Sequence, residues 1–155
     1  MDLYEILDKL NIKYEEVNHK HVFTAEEAQS IKEQIEGVGA KNLFLTDRKG
    51  NYFLYLIEDC KQADIKMVSK SVNISHLSFA STDELKNVLN LERGSVTPMG
   101  IINDKENVVT ILIDKDLEGK KLLVHPNTNI KTLSIDYNDL IKFIEYHEHK
   151  YLIIV

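Results

Sequence analysis

Three short patches of this chain cluster polar groups able to bind and polarise a substrate. The first is Gly39-Ala40-Lys41-Asn42-Leu43-Phe44-Leu45, where an ammonium and a carboxamide stand just ahead of an apolar run. Taken alone, Lys41 there reads as a solvated lysine at a strand end. The second is Gly94-Ser95-Val96-Thr97-Pro98-Met99-Gly100, with two hydroxyls in what is otherwise a plain loop. The third is His125-Pro126-Asn127-Thr128-Asn129, a polar cluster that ends a strand. It reads equally as a turn in which Pro126 fixes the backbone and asparagine side chains cap it.

Other hydrolytic constellations are missing from the sequence. No Gly-x-Ser-x-Gly elbow occurs, so a strained nucleophilic serine has no motif. Ser95, His125 and some aspartate make a set that any chain of this size offers. No glycine-rich phosphate loop ends in Gly-Lys-Ser or Gly-Lys-Thr, which leaves nucleotide hydrolysis without support. His19-x-His21 and His147-x-His149 look like metal pairs, but no third ligand stands at a recognised spacing. The second pair falls near a helix C-terminus, where imidazolium is favoured in any case. Both pairs are expected to be surface histidines, and neither a metal nor any other cofactor is expected.

The elements that must hold these patches follow from hydrophobic period and capping signals. Leu3, Ile6, Leu7 and Leu10 recur at helical spacing up to Asn11, and Ile12 to Val17 is a strand candidate. Thr24-Ala25-Glu26-Glu27 has the form of a capping box, opening a helix with Ala28, Ile31 and Ile35 on one face and a stop at Gly37. Leu43 to Thr46 and Tyr52 to Glu58 flank a hairpin signal at 47–51. Ile65, Val68 and Val72 suggest a short helix, and Ser81-Thr82-Asp83-Glu84 repeats the capping pattern ahead of Leu85, Val88 and Leu89. Ile101-Ile102, Val108 to Ile113, Leu122 to Val124, Ile130 to Ile135 and Tyr151 to Val155 are strand candidates; Asp136 caps a last helix carrying Leu140, Ile141 and Ile144. Helices inserted among many short strands predict one α+β domain over residues 1–155, with a mixed, largely antiparallel sheet and flanking helices.

Composition narrows the function classes. Of 155 residues, 43% are apolar and 28% charged, the balance of a soluble globular domain. No run approaches the ~18–20 apolar residues of a membrane span, the N-terminus lacks the features of a signal peptide, and the single Cys60 permits no internal disulfide. A cytoplasmic protein with no membrane role is expected. The net charge of −6, from 19 basic and 25 acidic side chains, argues against gripping a long duplex such as DNA, because that affinity comes largely from phosphate neutralisation. A few terminal nucleotides in a local basic pocket remain compatible with it.

In order along the chain, the patches resemble the prolyl-tRNA editing family of the YbaK/ProX type. The likeness starts at His19 and Val22-Phe23-Thr24-Ala25-Glu26-Glu27, similar to that family's His-Pro-x-Val-x-Thr stretch. It continues through Lys41-Asn42-Leu43-Phe44-Leu45, Leu77-Ser78-Phe79-Ala80-Ser81, Gly94-Ser95-Val96-Thr97-Pro98 and Asn103-Asp104, and ends with His125-Pro126, Asn129 and Thr132. Lys20 stands where the family usually has proline, His76 where an arginine is common, and Thr97 where serine is frequent. The Gly-Gly-x-Ser-Pro loop of the cysteine-specific YbaK branch is absent, so the alanine-specific ProX branch matches better.

The resemblance implies an editing-domain fold and hydrolysis of alanine from mischarged tRNA(Pro), in trans to prolyl-tRNA synthetase. It implies Lys41, Asn42 and His125 as catalytic residues, with Lys41 at the terminal adenosine phosphate or the ester. It implies Thr24, Gly94, Ser95, Thr97 and Pro98 around the aminoacyl end, and Val22, Phe23 and Met99 as walls of a pocket that excludes proline by size. An aminoacyl ester is already activated, so an oriented water and a stabilised oxyanion suffice. The partners implied are the aminoacylated acceptor end of tRNA and a prolyl-tRNA synthetase. The competing readings are a deacylase for Cys-tRNA(Pro) or another small aminoacyl-tRNA, a non-catalytic module that binds an aminoacyl end or amino acid, and an interaction protein docking on a synthetase.

Overall fold

The computed structural model describes residues 1–21 and 24–155. Eight strands and five α-helices appear among them, with two 3-10 turns at Pro98–Asn103 and Lys115–Leu117. Strands β1 (Glu15–Asn18), β2 (Val38–Thr46), β3 (Tyr52–Glu58), β4 (Ser78–Phe79), β5 (Val109–Asp114), β6 (Lys121–Val124), β7 (Lys131–Asp136) and β8 (Tyr151–Ile154) form one mixed sheet. Its order is β1-β7-β6-β2-β3-β5-β8, with β4 attached to β2. The pairs β1·β7, β6·β7, β2·β3 and β2·β4 are antiparallel; β2·β6, β3·β5 and β5·β8 are parallel. The mixed α+β architecture expected from the sequence is therefore the one found.

Alternation along the central strands explains why helices cover both faces. On β2 and β3, Phe44, Leu54 and Leu56 point into the main core, while Leu45, Phe53, Tyr55 and Ile57 point the other way. Continuously apolar strands of this kind must be buried on both sides. The main core is closed by α1 (Leu3–Lys9), α4 (Thr82–Leu89) and α5 (Tyr137–Tyr146), through residues such as Leu7, Leu89 and Phe143. The opposite face is covered by α3 (Ile65–Ser71) through Val68, and by α2 (Ala25–Lys32), whose Ile31 packs with Ile35 and Leu123.

Local chemistry sets the helix ends. Ser81 Oγ accepts from the Glu84 amide at 3.1 Å while the Ser81 amide donates to Glu84 Oε1 at 2.9 Å, the reciprocal box read from the sequence. Thr24 Oγ1 accepts from the Glu27 amide at 3.1 Å and starts α2. Helix α4 stops at Asn90, whose φ of 55° is left-handed. In the β2–β3 hairpin, Asp47 Oδ1 accepts from the amides of Lys49 and Asn51 at 2.8 and 3.1 Å, which closes the turn.

Several expectations need correction. Strand β2 begins at Val38, five residues before Leu43, so Lys41 and Asn42 lie inside the strand. The first strand begins at Glu15, and Ile12 is buried in the main core. Ile101 and Ile102 belong to the 3-10 turn, where Thr97 caps the segment and Pro98 opens it. His149 is no surface residue. Its side chain is 1% exposed and its Nε2 donates to Asp104 Oδ2 at 2.9 Å.

Candidate functional site

The sheet is interrupted at its centre. Strands β2 and β6 pair in parallel only at Val38↔Leu122 and Gly39↔Leu123 and then part; β4 joins β2 only at Leu45↔Phe79 and Thr46↔Ser78. Between these contacts, residues 40–43 of β2 have β3 on one side and, among the described residues, no strand on the other. Which groups face the opening follows from the hydrogen-bond register. The Asp59 amide donates to the Gly39 carbonyl, so Gly39 is a hydrogen-bonded partner of the β3 side. In an antiparallel ladder such pairs alternate. Lys41 and Leu43 thus turn their main chain toward β3, and the N–H and C=O of Asn42 turn toward the gap. The Phe44 carbonyl, two residues on, accepts from the Ala80 amide at 2.9 Å on that same side.

The side chains divide by the same period of two. Gly39 stands opposite Leu123, and Lys41 and His125 each lie two residues further along, so both project from the face covered by α2 and α3. There the ends of β2, β6 and β7 and the flank of α2 enclose a cavity of about 130 Å³, lined by Ile31, Lys32, Ala40, Asp59, His125 and Thr132 among others. Asn42 lies on the other face, at the wall of a second cavity of about 430 Å³.

His125 is the base-capable group of the smaller cavity. Its Nδ1 lies 3.1 Å from the Lys131 carbonyl, which can only accept, so Nδ1 carries the proton. Burial pushes the ring below the ordinary histidine range, an effect partly offset by that hydrogen bond and reinforced by His19 nearby. The neutral ring leaves Nε2 with its lone pair, and no group among the described residues bonds to it. The His125 carbonyl is fixed from beneath: Thr97 Oγ1, fully buried, donates to it at 2.6 Å. His19 stands beside, its ring centroid 6.5 Å from that of His125. Its Nδ1 donates to the Lys20 carbonyl at 2.7 Å, and in the neutral ring Nε2 accepts from the Thr132 hydroxyl at 2.9 Å.

Lys41 is held by its own anchor. Its Nζ donates to the Lys61 carbonyl at 2.7 Å. The Lys61 ammonium donates in turn to Asp114, 2.5 Å away and 2% exposed, and to Asp116 at 2.8 Å. These two carboxylates raise the Lys61 pKa. The loop after β3 therefore ties the Lys41 ammonium to the end of β5. The same loop reaches α2, where Lys32 Nζ donates to Asp59 Oδ2 at 2.5 Å. This pair occupies the space above Gly39, where a Cβ would collide with both Asp59 and Lys32. Glycine is needed here for close approach.

The remaining sequence candidates separate into positions with different surroundings. Thr24 caps α2. Gly94, with φ +92°, adopts a conformation that favours glycine, and Ser95 behind it is buried. Pro98 is buried, and Met99, 0% exposed, packs in the main core beside Leu89 and Leu91, away from both cavities. Met99 is thus core packing and not a pocket wall. Val22 and Phe23 lie outside the described residues. Lys32, Gly39, Asp59 and Thr132 escaped selection as site residues. Of these, Thr132 lay in a motif of the resemblance, but its contact with His19, 113 residues away, is visible only in the fold.

No helix among the described residues is long and apolar enough to cross a membrane. Three similarities accompany this geometry. The chain is 38% identical over 143 residues to the prolyl-tRNA editing protein ProX of Acetoanaerobium sticklandii, covering 90% of this chain and 86% of that one. It is 32% identical over 151 residues to prolyl-tRNA synthetase associated domain-containing protein 1 of Danio rerio, covering 96% and 82%. A crystal structure of a proposed trans-editing enzyme for prolyl tRNA synthetase superposes with a TM-score of 0.73 at 17% identity, covering 97% of this chain and 92% of its own, a likeness of fold. The family model for the aminoacyl-tRNA editing domain matches residues 19–143, a span that takes in His19, Lys41, the Gly94–Pro98 loop, His125 and Thr132, and the chain belongs to that family.

Proposed function

We propose that this protein is a deacylase that hydrolyses alanine from mischarged tRNA(Pro), acting in trans to prolyl-tRNA synthetase. The observation that carries the reading is the neutral His125, its Nδ1 bonded to the Lys131 carbonyl and its Nε2 free beside a small cavity. The names of the similar proteins supply the substrate class. At about 130 Å³ the cavity is a little smaller than the ~150 Å³ that houses one benzene, so it takes an aminoacyl group of a few carbon atoms and no nucleoside.

The chemistry asks little of the protein. Water attacks the ester carbonyl, the bond from that carbon to the ribose oxygen breaks, and alanine leaves as the free acid. His125 Nε2 accepts the water proton and returns it to the departing ribose oxygen. The Lys41 ammonium, fixed by the Lys61 carbonyl, supplies positive charge on the same sheet face for the developing oxyanion or the terminal phosphate. From the Gly94–Pro98 loop, Thr97 Oγ1 donates to the His125 carbonyl and holds that strand end in place.

The test is deacylation of tRNA(Pro) charged with alanine, cysteine or proline, with and without the synthetase. Alanine should be released fastest and proline spared. Lys41→Ala should abolish the reaction with an unchanged circular dichroism spectrum. His125→Ala should slow it by roughly 10²- to 10⁴-fold, the usual worth of a general base. Wild-type rates in both variants would refute the assignment, and faster release of cysteine would move the substrate.

A further inference from the structure

Strand register sets a buried carboxylate against the lysine assigned to the reaction. Lys41 stands opposite Ile57 across β2 and β3. On the next strand Ile113 pairs with Leu56, so Asp114 stands one step further on, level with Ile57. Ile57 and Leu112 both belong to the core beneath α3, and Asp114, two residues beyond Leu112, projects from that same face. Lys41, Ile57 and Asp114 thus form one row across three strands. The two charged residues are two strand spacings apart, roughly 10 Å between their main chains. A lysine and an aspartate side chain together cover that span.

No such pair forms, because Lys61 lies between them. Its ammonium donates to Asp114 Oδ2 at 2.5 Å and to Asp116 Oδ2 at 2.8 Å, while its carbonyl accepts from Lys41 Nζ at 2.7 Å. The other carboxylates of this turn are also taken: Glu58 by Lys120 at 3.7 Å, and Asp59 by Lys32. Among the described residues, no carboxylate pairs with Lys41. A neutral carbonyl orients an ammonium without cancelling its charge, whereas a carboxylate would leave little of that charge for a developing oxyanion. Stability gives no reason for the arrangement. Asp114 is 2% exposed, and a buried ion pair exchanged for apolar residues of similar size often leaves a protein as stable or more so.

We infer that Lys61 is a positioning residue that screens Lys41 from Asp114. It binds the carboxylates of Asp114 and Asp116 with its ammonium and offers Lys41 only its carbonyl, so the Lys41 charge stays in place and uncompensated. The inference rests on the editing function proposed above, since it takes Lys41 as the group that meets the charge of the substrate. Without the Lys61 ammonium, the freed carboxylates draw Lys41 along the row toward β5, away from β6 and His125.

The test compares three variants of the full chain. Lys61→Met keeps the main-chain carbonyl and loses the ammonium; kcat/KM for alanine-charged tRNA(Pro) should fall at least about tenfold, a modest part of what one lost oxyanion partner costs. Lys61→Arg restores the ion pairs and should stay within about threefold of wild type. The triple variant Lys61→Met, Asp114→Asn, Asp116→Asn frees no carboxylate and should also return to within about threefold of wild type. A lysine that merely stapled the turn to β5 would leave the triple variant as slow as Lys61→Met. The triple variant carries no unpaired buried charge, so it decides the matter even if Lys61→Met alone does not fold. A crystal structure of Lys61→Met should show the Lys41 ammonium moved from the carbonyl of residue 61 to Asp114. Lys41 unmoved in that crystal, a wild-type rate in Lys61→Met, or no recovery in the triple variant would overturn the screen and leave the editing proposal. Lys41 moved as described, in a protein that deacylates no charged tRNA, overturns the editing proposal and leaves the screen.

Discussion

Replacing His149 by leucine should cost this protein a large part of its stability. His149 and Asp104 form a pair with side chains 1% and 3% exposed. Both nitrogens of the ring are engaged, Nε2 with the Asp104 carboxylate at 2.9 Å and Nδ1 with the His147 carbonyl at 3.1 Å. Asp104 also accepts from the amides of Val108 and Val109 at 3.2 and 2.9 Å, so it joins the end of α5 to the start of β5. Leucine fills the volume and leaves a buried carboxylate with two amides and no countercharge. Breaking such a pair by removing one partner costs about 3–5 kcal/mol, against a total of roughly 5–15 kcal/mol for a domain of this kind. With a urea slope of about 2 kcal/mol per molar, the unfolding midpoint should fall by about 2 M. The chain has no tryptophan, so far-ultraviolet circular dichroism is the appropriate probe. The double variant Asp104→Asn with His149→Leu removes the buried charge altogether and should be more stable than His149→Leu alone. A loss below about 1 kcal/mol in the single variant, or a double variant that loses the sum of both singles, would refute this account of the pair.

Three further outcomes follow from the site. The depressed pKa of His125 keeps Nε2 unprotonated at neutral pH, so kcat/KM should stay flat there and fall only on the acid side, below the ordinary histidine range; the same depression makes its contribution to stability present above the unfolded-state pKa and lost as pH falls, and a rate that declined from pH 7 downward would contradict it. Gly39→Ala should part Lys32 from Asp59 and lower kcat with little change in circular dichroism, because the new methyl group takes the space of that pair; wild-type kcat would show that the contact is dispensable. Binding of uncharged tRNA should show a shallow salt dependence of two or three phosphate contacts, about −0.7 in log–log slope for each, and a short acceptor-stem mimic should match it; a steep slope seen only with whole tRNA would reveal a basic surface beyond Lys41, Lys61, Lys66 and Lys70.

What could be read from the residues was what short-range physics decides. The capping hydroxyls of Thr24 and Ser81 and the turn at Asp47 depend on neighbours within four residues, and they stand where the pattern put them. Strand β2 extends back to Val38 because Gly39 and Ala40 pair on both sides there, with Leu123 and Glu58, and two small residues before a lysine show no strand period. Ile101 and Ile102 form a turn because two adjacent apolar residues carry no period at all, and the cap by Thr97 prevails. The burial of His149 depends on an aspartate 45 residues away, and the opposite projection of Lys41 and Asn42 on a strand boundary that the sequence blurred. The catalytic candidates were legible as types; the gap in the sheet that sorts them was not.

The pairing of β1 with β7 has a consequence for how the chain is made. His19 meets Thr132 across 113 residues, and the flanking strand at residues 15–18 has no partner until residues 131–136 exist. The last helix then closes on the first, as Leu7 and Phe143 share one core. Contacts of this sequence separation delay folding, since loop closure must come before they reward it. On the ribosome the strand at residues 15–18 must therefore wait until residues 131–134 have emerged. The small cavity, which Thr132 lines, cannot form before that strand does.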